Sequence, residues 1–375
     1  MRSKGGLRVV FIPRVEVKEG TTERTPKLLQ ILSDRYEVTA VPQSRFGKLI
    51  YDQKRSKLLR YILFPLDEMA MLLGALKALR RGGGLAFAEG SYFALVGVLA
   101  GKIASAPSVW DSHGDIVAFS KALGKSGAFT KANVVLERAI GGMASRMLVV
   151  SEVDRRAYGT LGLREEKIMV LPTCADMELV RSKAIDRSEA RRRLGVPEGR
   201  KVVLFFGTLT YRPNMLAAKY IVEQLAPGIE GSGDTLLCIA GSGGFSEPVP
   251  ENVRFLGFVP DLYVWLAAAD VCVAPIWEGV GILTKVIDML SMGKPVVVSP
   301  LAVEGIPELE HRVNCLIGRD RDDFMLQLRV LLADESLQAQ LGNEGRMLVE
   351  ASYSWQTTAP RLFAMLDELG QKAGR

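Results

Sequence analysis

Residues 274–299 read APIWEGVGILTKVIDMLSMGKPVVVS, and the order of elements in this stretch decides the fold. The apolar run 271–275 predicts a buried strand, and the glycines that follow predict a loop. A helix is expected from 284 to Gly293, where glycine and the following Lys-Pro end it. The run 296–298 predicts the next strand. A strand, a crossover helix and a second strand are typical of a parallel α/β sheet.

The helix of this unit carries a candidate ligand site. Lys285 and Asp288 are three residues apart, so they lie on one face of its first turns. A helix that starts after a glycine loop, here near Thr284, offers free N–H groups and the positive end of its dipole to an anion. Lysine adds a charge for phosphate, and a carboxylate accepts hydrogen bonds from sugar hydroxyls. The pattern predicts a site for a phosphorylated sugar or nucleotide; an ordinary solvated helix start is the alternative that spacing alone leaves open.

The composition is that of a globular protein with two domains. The chain has 375 residues, of which 48% are hydrophobic and 24% charged, and that length suits two cores. The four cysteines are scattered without metal-ligand or disulfide spacing, which predicts reduced core residues and an intracellular, cytoplasmic location. The N-terminal MRSKGGLRVVFIP lacks the apolar run of a signal peptide. We expect no membrane-spanning segment, because none of the apolar runs reaches about 20 residues.

Positive charge is concentrated in residues 45–81. This segment holds nine basic and three acidic side chains, a net +6 that equals the net charge of the whole chain. It also contains the apolar LLRYILFPL. Basic residues beside exposed apolar ones suit an anionic membrane surface, so we predict peripheral contact there, at the inner face of the cell membrane. The alternative is a solvated helical face with a buried stripe, and no nucleic-acid module is present.

Strand and helix patterns alternate along the whole chain. Six strands are predicted in the first half (LRVVFIP, RYEVTAV, GLAFAE, SVWDSH, RMLVVS, KIMVLP) and five in the second (VVLFFG, TLLCIAG, VRFLGF, DVCVAP, PVVVS). The charged segment 182–201 is interpreted as a linker, with a short helix ended by Gly195. We predict two Rossmann-like domains, 1–180 and 181–353, the first completed by an amphipathic helix at about 354–375. Neither has the G-x-G-x-x-G fingerprint, which argues against a nicotinamide-dependent oxidoreductase.

Several ordered strings resemble glycosyltransferase family 4, retaining enzymes of the GT-B architecture. The similarity covers nearly the whole chain and is carried by VVSEVDRRAYGTLGLREEKIMVLPTCAD, VVLFFGTLTYRPNMLAAKYIVEQLAPGI, IAGSGG, VRFLGFVPDLYVWLAAADVCVAP, TKVIDMLSMGKPVVVSPLAVEGIPE and LLADESLQAQLGNEGRMLVEASYSW. Among its members the chain is most similar to a subgroup with a YRPN loop and a TKVxD donor helix. The resemblance implies two facing domains with a cleft between them, a nucleotide sugar bound by the C-terminal domain and an acceptor bound by the N-terminal one.

The resemblance also implies roles for individual residues at the donor. Asp288 occupies the position of the acid that holds the donor ribose. Lys285, next to Thr284 at the helix start, neutralises the diphosphate. The loop of Gly257, Phe258 and Val259 lies along the base.

Two further positions come from the N-terminal half. Gly20 falls where the family brings backbone close to the donor phosphates, an approach that a missing side chain permits. His113, at the end of the fourth strand, contacts the donor sugar or organises the acceptor. A carboxyl end of a strand in an open α/β sheet is where ligands bind. A structural histidine that only makes hydrogen bonds is the alternative.

The chain departs from the family at two places. Where members have an arginine and a lysine for the diphosphate, it has Thr208 and Pro213; the adjacent Arg212 is predicted to substitute. Members usually have two acids with seven residues between them, and the first would fall at Val280, which is apolar. Glu278 is the nearest acid, and it either reaches the donor sugar through a rearranged loop or is solvated.

The predicted reaction moves a sugar from a nucleotide diphosphate sugar to a hydroxyl of a glycan, polysaccharide or lipid-linked acceptor, with retention of configuration. Lys285 and Arg212 would stabilise the leaving diphosphate, with Glu278 and His113 as further catalytic candidates. No cofactor and no metal are predicted, because the one Asp-x-Asp string, 320–322, reads as a helix cap or a solvated loop. Two alternatives remain: a nucleotide-sugar epimerase or hydrolase of the same fold, and a non-catalytic protein that binds a nucleotide sugar or a partner.

Overall fold

The computed structural model describes residues 6–13, 24–42, 44, 50, 57–82, 84–114, 127–229, 234–279 and 281–373. The chain divides into two compact units. The first comprises residues 1–172 and 359–375, and the second comprises residues 173–358.

The first unit contains a six-stranded parallel sheet in the order β2-β1-β3-β4-β5-β6. Its strands are β1 Arg8–Ile12, β2 Glu37–Ala40, β3 Leu85–Glu89, β4 Ser108–Asp111, β5 Arg146–Val149 and β6 Ile168–Val170. Its helices are α1 Arg24–Arg35, α2 Lys57–Gly82, α3 Ser91–Ala104, α4 Gly127–Met143 and α5 Glu152–Thr160, with a 3₁₀ turn at Glu165–Lys167. Every one of the six strands that the sequence predicts for this half is present.

The second unit contains another six-stranded parallel sheet, in the order β12-β11-β10-β7-β8-β9. Its strands are β7 Lys201–Phe206, β8 Thr235–Ala240, β9 Val253–Gly257, β10 Val271–Ala274, β11 Val296–Val298 and β12 Leu316–Ile317. Its helices are α6 Met177–Ser182, α7 Arg187–Leu194, α8 Arg212–Tyr220, α9 Leu262–Ala268, α10 Thr284–Ser291, α11 Pro300–Gly305, α12 Arg321–Ala333 and α13 Glu335–Ser352. Helix α8 continues through a π-helical turn, Ile221–Leu225, into Ala226–Gly228. The short strand β12 was not predicted, because two residues carry no periodicity.

Both faces of the second sheet are covered. Along β7, Val202, Leu204 and Phe206 enter one core cluster, while Val203 and Phe205 enter another on the opposite face. Strands buried on both sides read as continuous apolar runs, which is why KVVLFF lacks the alternation of a half-exposed strand. The predicted α/β class with two parallel sheets is confirmed.

The charged segment 182–201 is not a free linker, and that interpretation was wrong. It forms the end of α6 and α7 inside the second unit, with the predicted stop at Gly195 in left-handed conformation (φ 64°). Arg191 is fully buried and donates to the carboxylate of Asp270 and the carbonyl of Ala268. A run of charges looks solvated in sequence, but a buried partner such as Asp270 can draw one of them into the packing.

The last helix, α14 Trp355–Ala373, packs on the first unit from residue 359 onward. The hydroxyl of Tyr36 donates to Asp367, and the guanidinium of Arg35 binds the same carboxylate. The ring of Phe363 meets Tyr36 edge-on at 5.8 Å. The four cysteines are buried and form no disulfide, as predicted.

Candidate functional site

Glycine loops follow three neighbouring strands at the carboxyl edge of the second sheet. Gly207 follows β7, Gly241 follows β8, and Gly257 ends β9, all with positive φ. The loops are tied together by main-chain hydrogen bonds from Gly207 to Ala240 (2.9 Å) and from Gly241 to Gly257 (2.7 Å). A Cβ on Gly241 would lie 2.1 Å from the carbonyl oxygen of Gly207. Strand order brings these glycines together into one rim of backbone at the edge of the sheet, which we call the glycine rim.

Lys285 lies beneath this rim. From the first turn of α10 its ammonium group donates to the side-chain oxygen of Asn214 on α8 and sits 4.6 Å from the centre of the Phe205 ring. A Cβ on Gly207 would come within 2.9 Å of the ammonium nitrogen, so a side chain there would cover it. Burial lowers the pKa of Lys285 to about 7. The structure thus holds a largely buried ammonium group at a glycine loop, without a carboxylate partner among the described residues.

Asp288 lies one turn further along α10. Burial raises the pKa of its carboxyl group to about 7. Burial also raises the pKa of the neighbouring Tyr263 hydroxyl, and the charge of Asp288 raises it further. No ion pair involving Asp288 occurs in the described part of the chain. The helix itself starts without a side-chain cap at Leu283, while Thr284 is exposed. As the sequence predicted, Lys285 and Asp288 share the first turns of one helix.

Arg212 and Glu278 form an ion pair across two loops of the same edge. Arg212 opens α8 and is 65% exposed in its side chain, and Glu278 is 52% exposed. The structure therefore brings together the two residues that the sequence marked as substitutes for missing family positions. In this arrangement the guanidinium of Arg212 is bound to the carboxylate of Glu278.

Asn214 was missed by sequence reasoning. Its amide nitrogen donates to the carbonyl of Thr208 at 2.9 Å, while its oxygen accepts from Lys285. It therefore fixes the loop after β7 and the lysine together. The YRPN string contained it, but nothing in one sequence indicates that its partner lies 71 residues away.

The remaining donor candidates are placed unequally. Val259 packs against the core, whereas its neighbour Phe258 is 76% exposed. Phe258 belongs to the loop that the resemblance places along the base, although the sequence assigned no role to its ring. Gly20 and Val280 lie outside the described residues.

His113 belongs to a polar cluster at the carboxyl edge of the first sheet. Its Nε2 lies 3.6 Å from Oδ2 of Asp111 and 3.8 Å from Oε1 of Glu89, two fully buried carboxylates at the ends of β4 and β3. The buried guanidinium of Arg24 binds both oxygens of Asp111, at 2.8 and 3.0 Å. Because β3 and β4 are neighbours in the sheet, their ends bring these groups together although they are distant in sequence. Glu89 and Arg24 were not singled out from sequence.

A second layer of hydrogen bonds holds the loop of His113. The hydroxyl of Tyr158 lies 2.7 Å from the hydroxyl of Ser112, and its one proton has two acceptors within reach, the carbonyl of Gly114 and Glu137, each at 3.0 Å. Tyr158 and Glu137 are buried. Burial raises the pKa of Tyr158 well above its usual value, and the charge of Glu137 adds to this. The phenol stays protonated and fixes residues 112–114 from behind.

The cluster of Glu89, Asp111 and His113 also has donor atoms within 4.8 Å of one another, a spacing that a metal ion could use. Arg24 argues against this, because a guanidinium that already binds both oxygens of Asp111 competes with a cation. In the Asp-x-Asp string, Asp320 caps α12 by accepting from the N–H of Asp323 at 2.8 Å, and this helix cap is as predicted. The absence of a metal stays a prediction.

Comparison with known proteins confirms the fold class. Chain-wide structural similarity is found to the Anabaena protein HepE in complex with UDP-glucose, with a TM-score of 0.68 at 18% identity over 96% of this chain and 100% of that one. At this identity the likeness shows the fold, which is GT-B. Within that class, residues 200–334 match the family model described as glycosyl transferases group 1.

Two curated relatives add sequence similarity. An uncharacterised glycosyltransferase of Methanocaldococcus jannaschii is 31% identical over 184 residues, and the alignment covers 45% of this chain and 45% of that protein. A GDP-mannose-dependent monoacylated alpha-(1-6)-phosphatidylinositol monomannoside mannosyltransferase of Corynebacterium glutamicum is 24% identical over 327 residues, which cover 82% of each chain. The chain thus spans less than half the length of the first of these relatives.

Proposed function

We propose that this protein is a glycosyltransferase that moves a sugar from a nucleotide diphosphate sugar to a hydroxyl acceptor with retention of configuration. The observation that carries the proposal is the geometry of Lys285 and Asp288 on the first turns of α10, next to the glycine rim. The family match over 200–334 falls on this unit. The Corynebacterium glutamicum relative is GDP-mannose-dependent, and HepE is in complex with UDP-glucose.

In this proposal the leaving diphosphate is held by the ammonium group of Lys285 at the start of α10. Cleavage of the anomeric C–O bond leaves negative charge on the diphosphate, and preorganised donors stabilise that charge more than the ground state. A bound phosphate places a negative charge next to the ammonium group of Lys285, which is buried and lacks a carboxylate partner among the described residues. Asp288 accepts from the ribose hydroxyls. Arg212 joins the diphosphate after exchanging its exposed partner Glu278 for phosphate oxygens.

In the first unit, His113 is the candidate that contacts sugar or acceptor. Its Nε2 lies 3.6 Å from Asp111 and 3.8 Å from Glu89, at the carboxyl ends of two neighbouring strands. The layer of Tyr158 and Glu137 holds its loop in place, as positioned groups in enzyme sites require. The acceptor is a hydroxyl of a glycan or a lipid-linked molecule, and no cofactor or metal takes part.

The test is incubation of the purified protein with labelled UDP-, GDP- and ADP-sugars in the presence of a membrane extract. Label that moves into a glycan or lipid fraction supports transfer. Label found only in an isomer or in free sugar would favour an epimerase or hydrolase of the same fold. Saturable binding of a nucleotide sugar without turnover of any donor would favour a non-catalytic protein and overturn the proposal. A thermal-shift panel with UDP, GDP and ADP selects the donor first, since a ligand of the folded state raises apparent stability.

A further inference from the structure

Helix α2 presents an apolar stripe to solvent. Leu66, Met69 and Leu73 are 48%, 55% and 60% exposed, and spacings of three and four residues align them on one face. The opposite face is in the core, where Leu63, Met71, Ala75 and Leu79 are buried. An ordinary surface helix exposes polar residues along this line. The alternative for this segment, a solvated helical face with a buried stripe, accounts for the buried residues but not for the three exposed apolar ones.

The apolar stripe is followed by basic residues on the same face of α2. Lys77 and Arg80 follow Leu73 at the same helical spacing, and Arg81 lies beside them; all three are exposed. Lysine and arginine at the end of an apolar face reach phosphate groups while their stems stay on apolar surface. The outer face of the helix thus combines apolar insertion residues with cations.

The acidic side chains of the same helix are turned away from this face. Asp67 is 2% exposed and accepts from the main-chain N–H of Ser44 at 3.1 Å. Glu68 is half-buried, and burial together with the charge of Asp67 raises its pKa. Between 63 and 82 these are the two acids, so the described part of the outer face carries no negative charge to repel an anionic surface.

We propose that α2 docks this protein on a membrane that contains anionic lipid, with Leu66, Met69 and Leu73 inserted among the head groups. The occupant is a lipid surface because apolar exposure and positive charge coincide on one face, which is the composition of interfacial helices. The net charge of +6 in residues 45–81 complements anionic head groups. No helix of the described chain is long and apolar enough to span a membrane. Docking places the enzyme at lipid-linked acceptors, and in this it rests on the proposed function.

The experiment is flotation of the full-length protein with lipid vesicles. One set is made of neutral phosphatidylcholine alone, and the other also contains about 30% anionic phosphatidylserine, which gives the surface a negative charge. We expect binding to the anionic vesicles that falls at least tenfold in L66S/M69S/L73S and in K77Q/R80Q/R81Q. Raising the salt concentration should release the wild type, since the charge contribution is screened. The control is I103S/V135S, which removes two other exposed apolar side chains of the first unit and should float like wild type.

A tryptophan at the stripe reports insertion directly. L73W should show a blue-shifted emission on anionic vesicles, because the indole leaves water. Equal binding of the stripe variant and wild type, or equal loss in the I103S/V135S control, would overturn the proposal. A protein partner for this face would give binding to cell extract without binding to pure lipid, which also overturns it. Thermal shift with UDP or GDP keeps the two proposals apart, since donor binding in the stripe variant must equal that of wild type.

Discussion

The ammonium group of Lys285 donates a hydrogen bond to the side-chain oxygen of Asn214, and the amide nitrogen of the same asparagine donates to the carbonyl of Thr208. The side chain of Asn214 therefore holds in place both the loop after β7 and the ammonium group of Lys285 next to the glycine rim. The lysine has no carboxylate partner in the described part of the chain, and its charge is left for a ligand.

Removal of that charge should abolish most of the activity. We expect K285A to lower kcat/KM for the donor by about 100- to 1000-fold, the range found when one preorganised charge-stabilising group is lost. Steady-state kinetics with the donor chosen by thermal shift measures it. K219A is the matched control, because Lys219 lies on the exposed side of α8 and pairs with Glu247; it should behave like wild type. Equal losses in both variants would contradict the assignment of Lys285.

The pH dependence should be bell-shaped around neutrality. Lys285 must be protonated to bind phosphate, and with a pKa of about 7 its charged fraction falls above pH 7. Asp288 must be ionised to accept from ribose, and with a pKa of about 7 its charged fraction falls below pH 7. The profile of kcat/KM, which reports the free enzyme, should therefore peak near pH 7. K285R should lose the alkaline limb and D288N the acid limb. A flat profile from pH 5.5 to 8.5 would contradict both assignments.

The same raised pKa makes a prediction about stability. Because the folded state raises the pKa of Asp288, its contribution to stability is present at low pH and is lost as the pH rises through about 7. D288N removes this loss. Its Tm relative to wild type should therefore increase from pH 5 to pH 8 in thermal unfolding, and a constant difference would show that the carboxylate is not desolvated.

Two replacements of Asn214 should distinguish its contribution to stability from its effect on the pKa of Lys285. N214A removes two hydrogen bonds and should lower the free energy of unfolding by about 1–3 kcal/mol. N214D keeps an acceptor and adds a negative charge beside Lys285, which raises the lysine pKa and should move the alkaline limb of kcat/KM to higher pH. Urea unfolding and the pH profile measure the two effects. N252A, which removes another asparagine bond to a main-chain carbonyl, should cost stability without moving the limb.

The two histidines of the chain form a natural pair of test and control. H113Q should lower kcat by about 100-fold at little cost in donor affinity, because the imidazole between Asp111 and Glu89 is assigned to the sugar or the acceptor. H311Q should leave turnover unchanged, since His311 is exposed and accepts one main-chain hydrogen bond from Ile317. EDTA should not reduce the wild-type rate. A loss restored by a divalent ion, and absent in H113Q, would instead make the cluster of His113 a metal site.

The exposed pair of Arg212 and Glu278 should matter for donor binding but not for folding. R212A and E278Q should each change the free energy of unfolding by less than about 1 kcal/mol, as exposed ion pairs do. R212A should raise the donor KM about tenfold, and E278Q should have the smaller effect, because its contact is with the arginine. A fall in kcat for E278Q at unchanged KM would make the carboxylate itself the group that acts on the sugar.

Local pattern was enough for eleven of the twelve strands in the described part of the chain and for one pair of site residues. Lys285 and Asp288 could be placed on one helix because residues three apart on a helix are neighbours whatever surrounds them. The strands could be found because their apolar runs are short and bounded by glycine and proline. Segment 182–201 was misread as a linker, since the buried partner of Arg191 lies 79 residues further along the chain.

The sequence by itself determined the α/β class, the strand and helix order and the lysine–aspartate helix, because these depend on periodicity and nearest neighbours. Tertiary structure alone decided the partners. Asn214 for Lys285, Arg24 and Glu89 around His113, and the exposed face of α2 all depend on which strand ends and helix faces meet. Such contacts join residues tens of positions apart, and they are fixed by strand order in the sheets and by packing, neither of which a single sequence states.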